Sequence, residues 1–179
     1  MSKQTTFEDE RSDIKKRLEN IQTNRHPFAL LLDHIVDEVN MGSVFRLADA
    51  VRLEKIYLYN EVSKNWNGKK LKRIARSTNK YVLFEEINTI EQVSILKKEY
   101  EFIGLEVTKN SISYQDFELP AKKPLIIMGN ENYGISEELL EMTSQNVHLP
   151  MHGINTSMNV AMATAIFCYH ILHKIKAEK

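Results

Sequence analysis

Apolar positions change their spacing repeatedly along the chain, and the changes mark out elements. Ile14, Leu18 and Ile21 recur at helical intervals and predict an amphipathic helix over residues 7–25, stopped by Pro27. The apolar run Phe28–Ile35 suits a buried parallel strand. Val44, Leu47, Ala48 and Val51 then fall on one face of a helix. Short strands are predicted at 55–59, 81–85, 102–107, 125–128 and 147–149. Helices are predicted at 89–99, 136–142 and 157–175; residues 65–68 read as a turn, and 111–123 as a loop ended by Pro124. Strands alternating with helices imply an α/β fold, a mostly parallel sheet with helices on both faces. No internal repeat or low-complexity segment interrupts the pattern.

Composition narrows the class. The chain has 179 residues, 42% of them apolar and 27% charged, enough for one domain with a real core. Residues 1–26 read as a helical extension and 27–179 as the domain itself. The single cysteine, Cys168, rules out an internal disulfide, fits a reducing cytoplasm and argues against a structural zinc site. The N-terminus lacks the apolar core of a signal peptide, and Met158–Tyr169 is too short to span a bilayer, so a soluble cytoplasmic protein is expected. Formal net charge is zero, which argues mildly against a nucleic-acid partner. The charges are clustered, however. Lys69, Lys70, Lys72, Arg73 and Arg76 lie within eight residues free of acids, and Lys15, Lys16, Arg17 and Arg25 form a looser group. Taken alone, such runs read first as solvated faces.

Ligands of open α/β sheets gather at the carboxyl ends of strands, and three segments at such ends are rich in Gly, Asn and Ser. The first is Asn40-Met41-Gly42-Ser43-Val44-Phe45-Arg46, where Asn40 reads most simply as a helix cap and Arg46 as a surface residue. The second is Gly129-Asn130-Glu131-Asn132-Tyr133-Gly134. It is neither G-x-G-x-x-G nor a Walker loop, so a dinucleotide or ATP site is disfavoured; Glu131 is either a ligand-facing acid or a partner for the dipole of the next helix. The third runs from Leu149 to Val160. Ser157 is there a natural N-cap, with Asn159 in the first turn beside free backbone N–H groups. His152 and Ser157 lack the G-x-S-x-G elbow and the acid partner that a serine hydrolase requires.

The order and spacing of Asn-x-Gly-x-x-x-Arg, Gly-x-Glu-x-x-Gly and Leu-Pro-Met-x-Gly-x-x-x-Ser-Met-Asn-Val resemble the three motifs of the SpoU/TrmH family of SPOUT methyltransferases, over about Phe28–Ile175. Departures are mild: Met158 stands where leucine is common and Ala161 where serine is frequent. The resemblance implies a C-terminal deep trefoil knot from roughly Leu125 to Asn159. It implies S-adenosyl-L-methionine as cofactor, held by Leu105, Glu106, Gly129, Leu149, Met151 and Met158, with no metal. It also implies a homodimer whose sites combine both subunits; the helical stripe Met162, Ala165, Ile166, Tyr169 and Leu172 serves either that interface or the chain's own core. The activity expected is transfer of methyl to a ribose 2′-hydroxyl of tRNA or rRNA, tRNA slightly favoured.

Arg46 is the catalytic residue carried over, with Asn40, Glu131, Ser157 and Asn159 around it. A guanidinium has a pKa above ~12 and is a poor base, but an excellent fork for phosphate. Arg46 is therefore expected to grip the phosphate beside the target ribose and polarise the hydroxyl, whose proton leaves through the phosphate, Arg46 or water. Ser157 and Asn159 are expected to orient Arg46, within one subunit or across the dimer interface. Under this reading the stretch Lys69–Arg76 becomes an RNA phosphate contact. The competing readings are a non-catalytic RNA-binding protein of the same fold and an unrelated nucleotide-binding α/β enzyme.

Overall fold

The computed structural model describes residues 20, 24–59 and 81–178. The expected N-terminal helix, apart from Asn20, Asn24 and Arg25, lies outside the described residues, as do the 65–68 turn and the basic stretch Lys69, Lys70, Lys72, Arg73 and Arg76. Arg25 itself donates from its guanidinium to the carbonyls of Leu53 and Tyr81, at 3.1 and 2.6 Å, so it braces backbone.

Among the described residues the strands are β1 (Ala29–Asp33), β2 (Ile56–Tyr59), β3 (Phe84–Ile87), β4 (Tyr100–Leu105), β5 (Ile112–Ser113), β6 (Lys123–Met128) and β7 (Gln145–His148). They form one sheet in the order β3-β2-β1-β6-β4-β7-β5, and every pairing is parallel. The helices are α1 (Glu38–Ala50), α2 (Ile90–Ile95), α3 (Glu137–Leu140) and α4 (Val160–Ala177).

Strand side chains alternate between two cores, as the two-residue period demands. Leu30, Leu32, Ile56, Leu58, Ile126 and Met128 pack with Val44 and Leu47 of α1 and Phe167 and Ile171 of α4. Ala29, Leu31, Tyr57, Leu125 and Ile127 pack with Val93 of α2 and Leu139 of α3. Helices thus cover both faces, and the continuous apolar runs of β1 and β6 follow from burial on two sides.

Several boundaries differ from the sequence expectation. The cap of α1 is Asp37, whose carboxylate accepts from the Asn40 N–H at 2.7 Å; Asn40 is inside the first turn. The cap of α4 is Asn159, whose side-chain oxygen accepts from the N–H groups of Ala161 and Met162 at 3.0 and 3.1 Å, so Ser157 is not the cap. Asp, Asn and Ser are about equally good caps, and the sequence alone does not rank neighbours. Pro124 does not precede β6 but lies in it. There it faces Glu101 of β4, while pairing with β1 begins only at Leu125, so its missing N–H falls at the strand's start. The 111–123 stretch carries β5 and a 3-10 turn, Tyr114–Asp116, at the sheet edge.

β1 and β6 sit at the centre of the sheet, and the loops after β4, β6 and β7 emerge at its carboxyl end. The loop after β6 is tight. The Asn130 N–H donates to the Gly134 carbonyl at 3.0 Å and the Gly134 N–H returns to Asn130 at 2.8 Å. A Cβ on Gly129 would stand 2.0 Å from the Gly134 carbonyl carbon, and Gly134 itself has a φ of 71°. Only glycine permits this fold-back. Gly129→Ala is expected to lower stability by more than about 3 kcal/mol. Urea unfolding measures it, and a midpoint equal to wild type would contradict the described loop.

Candidate active site

The first turn of α1 turns Asn40 inward, where it is only 6% exposed. A buried amide must find partners, and Asn40 finds them in two distant segments. Its Nδ2 donates to Glu131 Oε1 at 2.6 Å, and its Oδ1 accepts from Asn159 Nδ2 at 2.8 Å. Ionised Glu131 can only accept, which fixes the Asn40 amide with its nitrogen toward Glu131. Asn40 must then present oxygen to Asn159, and Asn159 must present its own oxygen to the α4 N–H groups. The result is one polarised chain of hydrogen bonds from the start of α4 to a carboxylate.

A second set of bonds holds the loop after β6. Asp33, fully buried at the end of β1, accepts from the Ser136 N–H at 2.6 Å and pairs with His34 Nδ1 at 2.5 Å. Asn130 Nδ2 donates to the His34 carbonyl at 2.8 Å, and Glu106 Oε2 accepts from the Ile135 N–H at 3.1 Å. His34 has a φ of 55°, in the left-handed region that costs a histidine about 1 kcal/mol or more. Sequence reasoning passed over Asp33 and His34. The available signal was a carboxylate closing an otherwise apolar run, which needs a partner once buried.

The loops enclose a cleft of about 700 Å³, within the range of small-molecule sites. Leu105, Glu106, Gly129, Leu149, Met151 and Met158 all line it, as do Glu131, Ser157 and Asn159. Leu149, Met151, Met158 and Val147 supply apolar walls, while the loops supply backbone donors and carboxylates. These groups fit a ligand with a flat apolar ring and polar ends. Asn40 stands behind the wall, bonded to two residues that line it.

Not every expected residue gathers here. Arg46 lies six positions after Asn40, about 9 Å along the helix, on an exposed face of α1. It does not line the cleft of its own chain. Within the chain Asn159 holds Asn40. Ser157 and His152 are both exposed, with no hydrogen bond between them, so no hydrolase dyad forms. Among the described residues no His, Cys, Asp and Glu cluster could hold a metal, and no helix is long and apolar enough to cross a membrane. Cys168 is fully buried, and burial pushes its thiol above the usual range, which makes it inert as a nucleophile.

A parallel α/β sheet with a ligand cleft built by three loops at its carboxyl end defines the class of fold; similarity to known proteins places it more closely. The sequence model of the SpoU rRNA Methylase family matches residues 27–169. The chain belongs to that family. The 23S rRNA (guanosine(2553)-2'-O)-methyltransferase RlmP of Bacillus subtilis is 34% identical over 143 residues, which cover 79% of this chain and 56% of that relative. The chain thus spans little more than half of that relative's length. The A. aeolicus TrmH/SpoU tRNA modifying enzyme has the same fold, with a TM-score of 0.79 at 23% identity, over 92% of this chain and 85% of that one. An AdoMet-bound rRNA methyltransferase from Sinorhizobium meliloti has a TM-score of 0.73 at 22% identity, over 86% of this chain and 58% of that one.

The hydrogen-bond chain gives a prediction with a definite order. Asn40→Ala is expected to cost about 1–3 kcal/mol, the loss of two bonds to groups that water can reach. Asn40→Asp should cost more at neutral pH, because it sets a carboxylate against Glu131. Such a pair holds a proton in the folded state above its unfolded pKa. The Asn40→Asp deficit should therefore shrink as pH falls toward about 4 and grow as pH rises. Thermal unfolding across pH checks this, and a pH-independent deficit would be the contrary result.

Proposed function

We propose that the protein transfers a methyl group from S-adenosyl-L-methionine to a ribose 2′-hydroxyl of RNA. The observation that carries this reading is the hydrogen-bond chain through Asn40, which draws the three family motifs to one cleft. The activity named for RlmP, guanosine 2′-O-methylation, and the AdoMet bound by the S. meliloti relative support it. tRNA remains slightly favoured over rRNA as the class of substrate. Residues Leu125–Asn159 would form the family's trefoil knot.

The cofactor supplies a methyl already activated on a sulfonium, whose sulfur keeps the bonding electrons and leaves as a neutral thioether when ribose oxygen takes the methyl. Leu149, Met151 and Met158 would clasp its adenine, and Leu105, Glu106 and Gly129 its polar edges. Glu131, which lines the cleft, would face the cationic end of the cofactor while keeping its role as acceptor for Asn40. The chain's contribution to rate is then mostly positioning.

Arg46 acts at the cleft of a second subunit. α4 carries an apolar stripe with Met162 60%, Ile166 39% and Tyr169 53% exposed, one helical face suited to a second copy of the chain. Leu172 and Ala165, expected on the same stripe, pack into the chain's own core. Across such a dimer the Arg46 fork grips the phosphate beside the target ribose and polarises the 2′-hydroxyl, whose proton leaves to phosphate or water. The basic stretch Lys69–Arg76 adds sequence-independent phosphate contacts.

Mapping 2′-O-methyl nucleotides by mass spectrometry, in cells lacking the gene, tests the whole reading. Wild type should restore a lost modification. Arg46→Ala and Glu131→Gln should each fail alone, and the two co-expressed should restore part of it, because each hybrid dimer retains one intact site. A deletion that loses no 2′-O-methyl group would sink the activity. Failure of the pair to complement would sink the shared site alone.

A further inference from the structure

We propose that Tyr133 is a stacking platform for a nucleobase of the RNA substrate; the proposal rests on the reading of the protein as an RNA methyltransferase. Tyr133 is 89% exposed, on the wall of the cleft. A tyrosine ring gains most when buried, and near-complete exposure leaves that gain to a ligand.

The loop that presents it is held at every turn. The Asn132 N–H is bound by Asn130 Oδ1 at 2.9 Å, and the paired amides of Asn130 and Gly134 close the turn on either side of the ring. The bonds to His34, Glu106 and Asp33 described above fix the loop to two strand ends. The backbone under Tyr133 is thus positioned before any ligand arrives, and little entropy is lost there on binding.

The surroundings select the ligand. Glu131, two residues earlier, belongs to the Asn40 chain, and Gly134, one residue later, abuts Glu106. Next to Glu106 is Val107, another cleft-lining apolar residue, 66% exposed. Tyr133 and Val107 give the cleft an exposed apolar lip. Every RNA base offers a π-face, and stacking on an aromatic side chain is how single-stranded nucleotides are commonly held. The adenine of the cofactor is the other flat ring at this site. It is better served by Leu149, Met151 and Met158, all less exposed than Tyr133.

The test uses the full chain, tritium-labelled methyl donor and total RNA from cells lacking the gene, at one fixed salt concentration. Tyr133→Ala is expected to raise the apparent RNA KM roughly five- to a hundredfold, with a smaller change in kcat. Its affinity for S-adenosyl-L-methionine, by calorimetry, and its thermal midpoint should match wild type. Tyr133→Phe, which keeps the ring, should restore the RNA KM to within about twofold. Unchanged RNA KM in Tyr133→Ala, with an active wild type, overturns the stacking role and leaves the function standing. A parallel loss of cofactor affinity assigns the ring to adenine, and equal defects in Tyr133→Phe and Tyr133→Ala assign the role to the hydroxyl; either overturns the proposal. A wild type that transfers no methyl to RNA removes the functional reading and this inference together.

Discussion

A buried side-chain amide is costly unless its hydrogen-bonding groups are met, and Asn40 meets that need with residues 91 and 119 positions away. This requirement ties together segments that the chain order keeps apart. The ties are directional. The carboxylate of Glu131 dictates the orientation of Asn40, Asn40 dictates that of Asn159, and Asn159 completes the start of an 18-residue helix. Each link is weak by itself, but reversing any one leaves two donors or two acceptors facing one another. The arrangement therefore specifies a single geometry for the mouth of the cleft.

The sheet makes that geometry affordable to maintain. β1 and β6 are buried on both faces, so the loops leaving their ends start from rigid points. Asp33 and Glu106 then receive the backbone N–H groups of Ser136 and Ile135, where a short helix begins without side-chain help from its own cap. Glycine at 129 and 134 lets the intervening loop fold on itself. Buried apolar residues such as Val147 and Ile135 line the depth of the cleft, and its edge combines polar residues with exposed apolar ones. Such a division suits a cofactor that carries its own reactivity and a protein that supplies position.

Much of this was legible in the sequence. Periodicity located β1, β2, β6 and α4 because strongly apolar runs leave few alternatives, and β1 was recognisable as doubly buried from its unbroken Leu30, Leu31 and Leu32. Caps were less legible. Asn40 and Ser157 both have good capping chemistry, yet Asp37 and Asn159 hold those places, a choice made by tertiary bonding that local propensity does not record. The six residues expected around the cofactor were found on one cleft, since motif order carried their placement. Six residues of helix turn Arg46 about 120° from Asn40, away from the cleft of its own chain, and helix periodicity does not tell whether it serves that cleft or a partner's. Asp33 and His34 went unread because their importance lies in what they touch, and Tyr133 because exposure has no sequence signature.

The central claim, that Asn40 and Glu131 act as one unit, is tested most directly by a double-mutant cycle on stability with Asn40→Ala, Glu131→Ala and the pair. A charge-assisted bond of this kind predicts a coupling energy of about 1–3 kcal/mol. Additivity within about 0.5 kcal/mol would mean that the two side chains do not hold the site together.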